Sequence, residues 1–288
     1  MKEKTLSFVD KDQLINDICD AIKGIQSYTP KVGVFGSSGV GKSSLCNALF
    51  GKDVAPISDV EACTRKPQEI LIGTSDGKSG IVLVDVPGIG EDQEHHREYT
   101  ELYKSIVPEL DLVLWAIKAD DRSYASGLDA YKSVFGSESR PPVIFVITQT
   151  DKISDADDWD RQEYKPGGTQ IHNITEKEHD VSRRFEVSTK NIISVAVSKK
   201  GKSYNLMPLI DLIVDVLPNE KKYSFTREAK EENVSDEAKK NAAEGIWQSI
   251  KNVAGEAWDS VKNEIPKIIV AHGPKLIALL GIWLKRRF

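Results

Sequence analysis

The chain has 288 residues, of which 40% are hydrophobic and 29% are charged, and its formal net charge is −5 at pH 7. This length allows one sizeable α/β core plus an appendage. The acidic balance excludes a general attraction to nucleic acid, so any such binding needs a local basic patch. Three scattered cysteines without metal-ligand spacing argue against a metal cluster and fit a reducing compartment. The N-terminus lacks the apolar region of a signal peptide, so we expect a cytoplasmic protein.

The first element in chain order is a predicted amphipathic helix. Between about residues 11 and 28, apolar side chains recur at helical spacing and form one face: Leu14, Ile15, Ile18, Ala21, Ile22 and Ile25. We assign residues 1–29 to this N-terminal helix. Its apolar face is expected to pack against the domain that follows, with partner binding as the alternative.

From Lys31 onward, strand patterns alternate with helix patterns. Four apolar runs are typical of strands buried in a parallel sheet: KVGVFG, LDLVLWAI, PPVIFVIT and NIISVAVS. The runs EILIGT and SGIVLVDV predict two further strands joined by a hairpin turn at SDGK. Helices are expected over residues 94–107 and 124–135. This order predicts a doubly wound α/β domain over residues 30–218.

The composition changes after Pro218. Residues 219–243 are charged and poor in large apolar side chains, so we expect a linker or a solvated helix there. Residues 244–288 are expected to be helical, with a basic amphipathic tail. The apolar run 276–284 is shorter than the roughly 20 residues that span a bilayer. Three roles stay open for the tail: packing on the rest of the chain, lying on an anionic membrane surface, or binding a protein or RNA partner.

The stretch FGSSGVGKSS predicts a phosphate-binding loop. Gly36, Gly41, Lys42 and Ser43 fill the pattern G-x-x-x-x-G-K-[ST] between a predicted strand and a predicted helix. Backbone N–H groups of such a loop surround the α- and β-phosphates. Lys42 is expected between the β- and γ-phosphates, and the Ser43 hydroxyl is expected to ligate Mg²⁺. The predicted nucleotide contacts in this loop are Gly36, Ser37, Ser38, Gly39, Val40, Gly41, Lys42, Ser43 and Ser44.

The sequence DVPG follows a predicted strand and fits a second nucleotide motif, D-x-x-G. We expect Asp85 to hold Mg²⁺ through a water molecule and the Gly88 N–H to meet the γ-phosphate. Thr64 lies between Lys42 and Asp85 in the chain, where its hydroxyl would complete the Mg²⁺ shell. Threonines are common in loops, so position alone leaves this role open. The predicted metal ligands are Ser43, Thr64 and Asp85.

The sequence TQTD follows the strand pattern VIFVI and predicts selection of the base. The Asp151 carboxylate is expected to accept hydrogen bonds from guanine N1–H and the exocyclic amine, a donor pair that adenine lacks. Thr148 and Gln149 replace the first two residues of the usual N-K-x-D. Threonine keeps a hydroxyl that can join loops, whereas glutamine loses the lysine stem that stacks on the base, so we expect moderate affinity. Ser198 and Lys199 are candidates for a backbone contact to guanine O6.

The ordered set GSSGVGKS, Thr64, DVPG and TQTD resembles the Era-like branch of the translation-factor class of small GTPases. The phrases GKSSLCNALFG, DVEACTRKPQEI and PELDLVLWAIKADDR resemble, more narrowly, bacterial GTP-binding proteins of the YfjP/YkfA group. The likeness covers roughly residues 28–218. It implies a Ras-like G domain that binds GTP and GDP with Mg²⁺ and hydrolyses GTP. It also implies that Thr64 is the threonine of switch I.

Two positions depart from related GTPases. Ile89 occupies the place of the Ras-type catalytic glutamine, and Gly39 occupies the place of the asparagine found in potassium-activated relatives. Isoleucine cannot orient the attacking water, so we expect slow hydrolysis that self-association or an activating partner accelerates. The predicted catalytic residues are Lys42 and Thr64. Polar residues of the switch regions are further candidates, although solvation of those loops is the simpler explanation: Arg65, Glu91, Asp92, His95 and His96.

Two classes of function follow from this pattern. The first is a nucleotide-dependent molecular switch, in which GTP orders the switch loops and a partner reads the state. The alternative is a GTP-dependent self-assembling or peripheral membrane-associated protein, anchored by the C-terminal tail. The TQTD element argues against an ATP-using enzyme. A ribosome or RNA partner stays open, and the sequence does not identify the effector.

Overall fold

The computed structural model describes residues 8–50, 68–73, 80–85, 93–135, 141–154, 156–198, 201–273, 276–277 and 280. The strands are β1 (Lys31–Gly36), β2 (Gln68–Gly73), β3 (Gly80–Asp85), β4 (Leu112–Lys118), β5 (Val143–Thr148), β6 (Trp159–Asp160), β7 (Lys165–Pro166), β8 (Ile192–Ser194), β9 (Ala196–Val197) and β10 (Ser203–Tyr204). The helices are α1 (Phe8–Ser27), α2 (Lys42–Phe50), α3 (Gln93–Ile106), α4 (Ala125–Phe135), α5 (Gly168–Phe185), α6 (Leu206–Val216), α7 (Asn219–Glu228), α8 (Asp236–Ala254), α9 (Trp258–Val261) and α10 (Ile265–His272).

Six strands form the central sheet in the order β2-β3-β1-β4-β5-β8. Strand β2 is antiparallel to β3, and the other neighbours are parallel. In this register Gly36 lies opposite Ala116, and Lys118 lies opposite Thr148, so β1, β4 and β5 end at the same edge. That edge is where open α/β sheets bind ligands. The topology confirms the predicted doubly wound, Ras-like α/β fold.

Alternating side chains of the strands fill two apolar layers, because successive residues of a strand point to opposite faces. On one face, Val34 and Leu114 pack with helices α2 and α6. On the other face, Trp115 and Phe145 pack with α3, α4 and α5. The Trp115 ring meets the Tyr103 ring edge-on, with centroids 6.2 Å apart. Both faces are therefore covered, which explains the nearly continuous apolar runs in the sequence.

Helix α1 joins the C-terminal helices in a third apolar cluster. Ile18 and Ile22 of α1 are fully buried with Ile246 and Ile250 of α8. The Ser224 hydroxyl of α7 donates to the carbonyl of Ile25 at 3.1 Å. The apolar face of α1 is thus covered mainly by α7, α8 and α10, rather than by the α/β domain that follows it in the chain.

A buried carboxylate connects this helical part to the sheet. Asp111, immediately before β4, accepts a hydrogen bond from the Tyr28 hydroxyl at 2.7 Å and from the Lys31 N–H at 2.8 Å. Lys221 of α7 forms an ion pair with the same side chain. Burial and the Asp111 carboxylate both raise the pKa of Tyr28. One carboxylate therefore holds the end of α1, the start of β1 and helix α7 together.

Residues 219–243, for which a charged linker or a solvated helix was expected, form α7 and the first part of α8. Phe225 is fully buried, and its ring centroid lies 5.8 Å from that of Phe50. A Cβ on Gly245 would lie 2.7 Å from the carbonyl oxygen of Asn219, so α7 and α8 approach closely. Ala238 and Ala242 are also fully buried. Small alanines and few aromatic residues cover the inner face, and this is why composition alone suggested a linker or a solvated helix.

The described part of the C-terminal tail packs on the helical cluster. Leu276 and Leu280 are fully buried with the apolar side chains of α1 and α8. Val270 and Ile277 are 63% and 40% exposed. Residues 281–288, with most of the predicted basic tail, lie outside the described residues. Among the residues that the structure describes, no helix has the length and apolar character to cross a membrane.

The buried ring of Phe225 provides a test of α7 as part of the core. Phe225→Ala is expected to lower the free energy of unfolding by about 3–5 kcal/mol, because a fully buried ring is lost and a cavity remains. Urea unfolding of the whole chain measures this value. Glu244→Ala, on the exposed face of α8, is the control and is expected to change it by less than about 0.5 kcal/mol. Equal effects of the two substitutions would contradict the packing of α7.

Candidate nucleotide-binding site

The loop between β1 and α2 has the backbone of a phosphate cradle. Gly36, Gly39 and Gly41 have φ angles of 141°, 73° and 96°, which L side chains rarely adopt. A Cβ on Gly36 would also clash with the carbonyl oxygen of Ala116 in β4. The glycines of the predicted motif are therefore required by the turn itself, and the loop leads directly into the N-terminus of α2.

Lys42 begins helix α2 and reaches back over the loop. Its Nζ donates to the carbonyl of Gly36 at 3.2 Å and to that of Ser37 at 3.1 Å. The first N–H groups of α2 have no partner within the helix, and the helix dipole adds a partial positive charge there. Ser43 and Ser44 lie half-buried in the same first turn. The positive charge, the N–H groups at the start of α2 and the hydroxyls together fit an anionic phosphate ligand with a hard cation.

The loop after β5 is tied directly to the phosphate loop. The Thr148 hydroxyl donates to the Val40 carbonyl at 2.5 Å, as its sequence position suggested, and it lies 3.3 Å from the Ile117 carbonyl. The Gln149 amide donates to the Gly39 carbonyl at 3.2 Å. Thr148 is 4% exposed, so its hydrogen bonds are shielded from water. The two loops therefore hold each other in a fixed arrangement.

Asp151 stands in a short 3₁₀ turn, Thr150–Lys152, directly after this junction. The Thr150 N–H donates to the Val195 carbonyl at 3.3 Å, which connects the turn to the end of β8. Three residues further, the Ser198 N–H and the Lys202 carbonyl form a 2.8 Å hydrogen bond that closes the next loop. Asp151 follows β5, and Ser198 follows β9, which comes directly after β8, the neighbour of β5 in the central sheet. The ends of β5 and β8 lie at the same edge of the sheet as the phosphate loop.

Several predicted site residues lie outside the described residues: Thr64, Gly88 and Lys199, together with Arg65, Ile89, Glu91 and Asp92. Asp85 is described as the last residue of β3, where it pairs with Val34, but its side chain is not described. The same holds for His95 and His96, which lie in α3. The described residues therefore contain the phosphate loop and the candidate base-recognition residues Thr148, Gln149, Asp151 and Ser198.

No sequence motif marks the hairpin of β6 and β7, which lies between the Asp151 turn and α5. Trp159 and Tyr164 form its aromatic face, and Lys202 contacts its tip. The aromatic residues in WDRQEYKP were a weak signal for it. The contacts at the tip involve backbone carbonyls, which no residue pattern reveals.

Residues 31–149 match the family model described as 50S ribosome-binding GTPase. Residues 31–149 thus have the sequence of a GTPase domain of this family. The chain is 40% identical over 186 residues to YkfA of Escherichia coli (strain K12), covering 64% of this chain and 60% of that protein. It is 41% identical over 168 residues to YfjP of the same organism, covering 58% and 54%.

The chain is also similar to a protein that is named as a GTPase. GTPase Era of Thermosipho melanesiensis (strain DSM 12029 / CIP 104789 / BI429) is 26% identical over 193 residues, covering 67% of this chain and 56% of that protein. The chain thus spans between half and three-fifths of the length of these three relatives. The match to the GTPase family model begins at the first residue of β1 and ends at Gln149, at the junction of the two loops.

The hydrogen bond between the loops predicts a measurable stability effect. Thr148→Val removes the hydroxyl, keeps the shape and leaves the buried Val40 carbonyl without this donor. The free energy of unfolding is expected to fall by about 1–3 kcal/mol. Thr148→Ser, which keeps the hydroxyl, is the matched control and is expected to lower the free energy of unfolding by less than Thr148→Val does. Urea unfolding without nucleotide measures both, and a larger loss for the serine variant would contradict the role of this bond.

Proposed function

We propose that the chain binds GTP and GDP with Mg²⁺, hydrolyses GTP slowly and acts as a nucleotide-dependent molecular switch. The observation that supports this most is the junction of the two loops. Thr148 and Gln149 donate hydrogen bonds to the carbonyls of Val40 and Gly39. A phosphate cradle and a base-recognition loop are thereby fixed at one edge of the sheet, as a ligand with both a base and phosphates requires.

On the phosphate side, the backbone of the loop receives the α- and β-phosphates. We assign Lys42 to the β- and γ-phosphates, which replace the carbonyls of Gly36 and Ser37 as its partners. The Ser43 hydroxyl would hold Mg²⁺ together with Thr64, and Asp85 would hold it through a water molecule. The Gly88 N–H would meet the γ-phosphate. Bound Mg²⁺ would neutralise charge on the phosphates during hydrolysis.

On the base side, Asp151 is the proposed reader of guanine. Its carboxylate accepts two hydrogen bonds from the base, and adenine offers no such pair. The backbone near Ser198 and Lys199 is proposed to donate to guanine O6. Gln149 is engaged with the Gly39 carbonyl and has no long aliphatic stem to cover the base. We therefore expect moderate affinity for guanine nucleotides.

The helical part is proposed to read the nucleotide state. The Asn233 amide donates to the Ala48 carbonyl at 3.0 Å, and the Lys230 N–H donates to the Leu49 carbonyl at 2.8 Å. Both carbonyls belong to the last turn of α2, the helix that begins at the phosphate loop. A displacement of α2 would thus reach the segment between α7 and α8 directly. We propose residues 30–218 as the nucleotide-binding unit and the remaining helices as its readout.

A second candidate function is GTP-dependent self-assembly or peripheral membrane association. It is favoured by the exposed apolar side chains Val270 and Ile277, which lie near Lys267 and His272. An interfacial helix combines such apolar and basic residues. The description of the matching family also names the 50S ribosome, so a ribosomal partner is a further candidate for the switch.

The central experiment is titration calorimetry of nucleotide-free protein with GDP, GTP, XDP and ATP in Mg²⁺. We expect guanine nucleotides to bind and ATP not to bind. Asp151→Asn is expected to weaken GDP binding by at least about a hundredfold, since two hydrogen bonds to a charged group are lost. The same variant should gain affinity for XDP, because its amide can donate to the added carbonyl oxygen. Equal binding of ATP and GTP would refute the guanine assignment.

The membrane candidate predicts co-sedimentation with anionic liposomes. Val270→Asp is expected to reduce the bound fraction, because the charge opposes burial of this face in the lipid interface. Ile171→Asp, at an apolar side chain on α5 that is 53% exposed, is the control and is expected to bind like the unchanged chain. No binding by the unchanged chain, with or without GTP, would remove this candidate.

A further inference from the structure

The hairpin of β6 and β7 lies beside the base-recognition turn and is well defined by its own hydrogen bonds. Trp159 pairs with Pro166, and Asp160 pairs with Lys165. At the tip, Asp160 accepts hydrogen bonds from the N–H groups of Gln162 at 2.8 Å and Glu163 at 2.9 Å. These backbone donors lower the pKa of Asp160. The conformation of the hairpin is thus fixed by its own hydrogen bonds, so it can hold adjacent loops in place.

On one side, the hairpin is attached to the Ser198 loop. The Lys202 ammonium donates to the carbonyl of Gln162 at 2.6 Å and lies 3.4 Å from that of Arg161. The Lys202 N–H donates to the Ser198 hydroxyl at 2.9 Å. The Trp159 ring also packs edge-on against Tyr204 of β10, with centroids 5.5 Å apart. One lysine and one aromatic pair therefore connect the loop to the hairpin.

On the other side, the Asp151 carboxylate acts electrostatically on the Tyr164 hydroxyl. The Tyr164 hydroxyl is buried and makes no hydrogen bond of good geometry within the part of the chain that the structure describes. Burial and the negative charge of Asp151 both raise the pKa of Tyr164, so the phenol keeps its proton at neutral pH. A carboxylate can only accept hydrogen bonds, and a phenol can donate one. The Asp151 carboxylate is therefore the natural acceptor for this buried donor.

The backbone of Tyr164 supports a positioning role. Its φ angle is 54°, in the left-handed region that is costly for a bulky side chain. The ring is held there by Trp159, with centroids 5.4 Å apart. Trp159 itself is 5% exposed. Such backbone strain persists only where the surrounding packing enforces it, and it concentrates at functional sites.

We propose that this hairpin braces both guanine-recognition loops, with Tyr164 as the positioning residue for Asp151 and Lys202 as the positioning residue for the Ser198 loop. The inference rests on the proposed guanine site. Tyr164 donates to one lone pair of the Asp151 carboxylate and fixes its orientation, which leaves the other lone pairs for the two donors of guanine. Lys202 fixes the backbone that faces O6.

Comparison of GDP with IDP tests the role of Tyr164, because hypoxanthine keeps O6 and N1–H but lacks the exocyclic amine. Calorimetry of the full chain in Mg²⁺ gives the ratio of the two affinities. Tyr164→Phe keeps the ring and removes the donor, and we expect the ratio to fall by about tenfold, the effect of one hydrogen bond to a charged group. Tyr131→Phe, whose ring packs on Trp115 and Phe145 in the core, is the control and should keep the ratio.

Replacement of Lys202 is expected to change the affinities for GDP and IDP in a different way. Lys202→Met is expected to weaken GDP and IDP equally, by about fivefold, because O6 is common to both bases. Lys202→Arg, which retains a donor for the hairpin carbonyls, is expected to restore binding. Lys202 is exposed, so its replacement leaves the core intact. This variant decides the proposal alone if Tyr164→Phe does not fold.

Each outcome bears on the proposal in a defined way. A lower GDP-to-IDP ratio in Tyr164→Phe, with equal weakening in Lys202→Met, supports the brace. An unchanged ratio in a folded Tyr164→Phe, or undiminished binding in Lys202→Met, overturns it while the guanine site stands. If the unchanged chain does not prefer GDP over ATP, the proposed function fails and the brace fails with it.

Discussion

One hydrogen bond, from the Thr148 hydroxyl to the Val40 carbonyl, determines how the candidate site is assembled. The phosphate loop needs three glycines with positive φ, so it has few side chains of its own to fix its shape. Thr148 supplies that constraint from the end of β5, and Gln149 adds a second bond to Gly39. The geometry of the phosphate cradle therefore depends on the same segment that is proposed to read the base. The proposed phosphate-binding loop and the proposed base-recognition loop are thus coupled through the protein itself.

The sheet and the helical part are connected at two distant points. Asp111 joins α1 and α7 to the ends of the strands opposite the nucleotide edge. Asn233 joins the segment before α8 to the last turn of α2. In the first contact the Asp111 carboxylate is buried, and loss of its ion pair with Lys221 would leave its negative charge uncompensated. The second lies on the helix that carries the phosphate loop. The Asp111 contact would therefore hold the helical part in place, and the Asn233 contact would transmit a displacement of α2 when ligand binds.

Some of these features are readable from the sequence, for physical reasons. The glycine spacing of the phosphate loop is recognisable because the turn excludes side chains, and β4 and β5 are recognisable because both faces of the sheet are covered. The burial of residues 219–243 was not readable, because Ala238 and Ala242 cover an interface without large apolar side chains. The contacts between the hairpin and the loops of the candidate site were also not readable from the sequence. Lys202 contacts backbone carbonyls of the hairpin, and such acceptors occur at every residue.

The central claim is that the phosphate loop and the loop after β5 form one nucleotide site. Hydrogen–deuterium exchange of the full chain, with and without GDP and Mg²⁺, tests it most directly. If the two loops form one site, amide exchange slows in both of them, at residues 36–44 and at residues 148–151, over the same range of GDP concentration. Inorganic pyrophosphate should protect the first loop more than the second. Protection by GDP confined to the phosphate loop, with the second loop unchanged, would contradict the account.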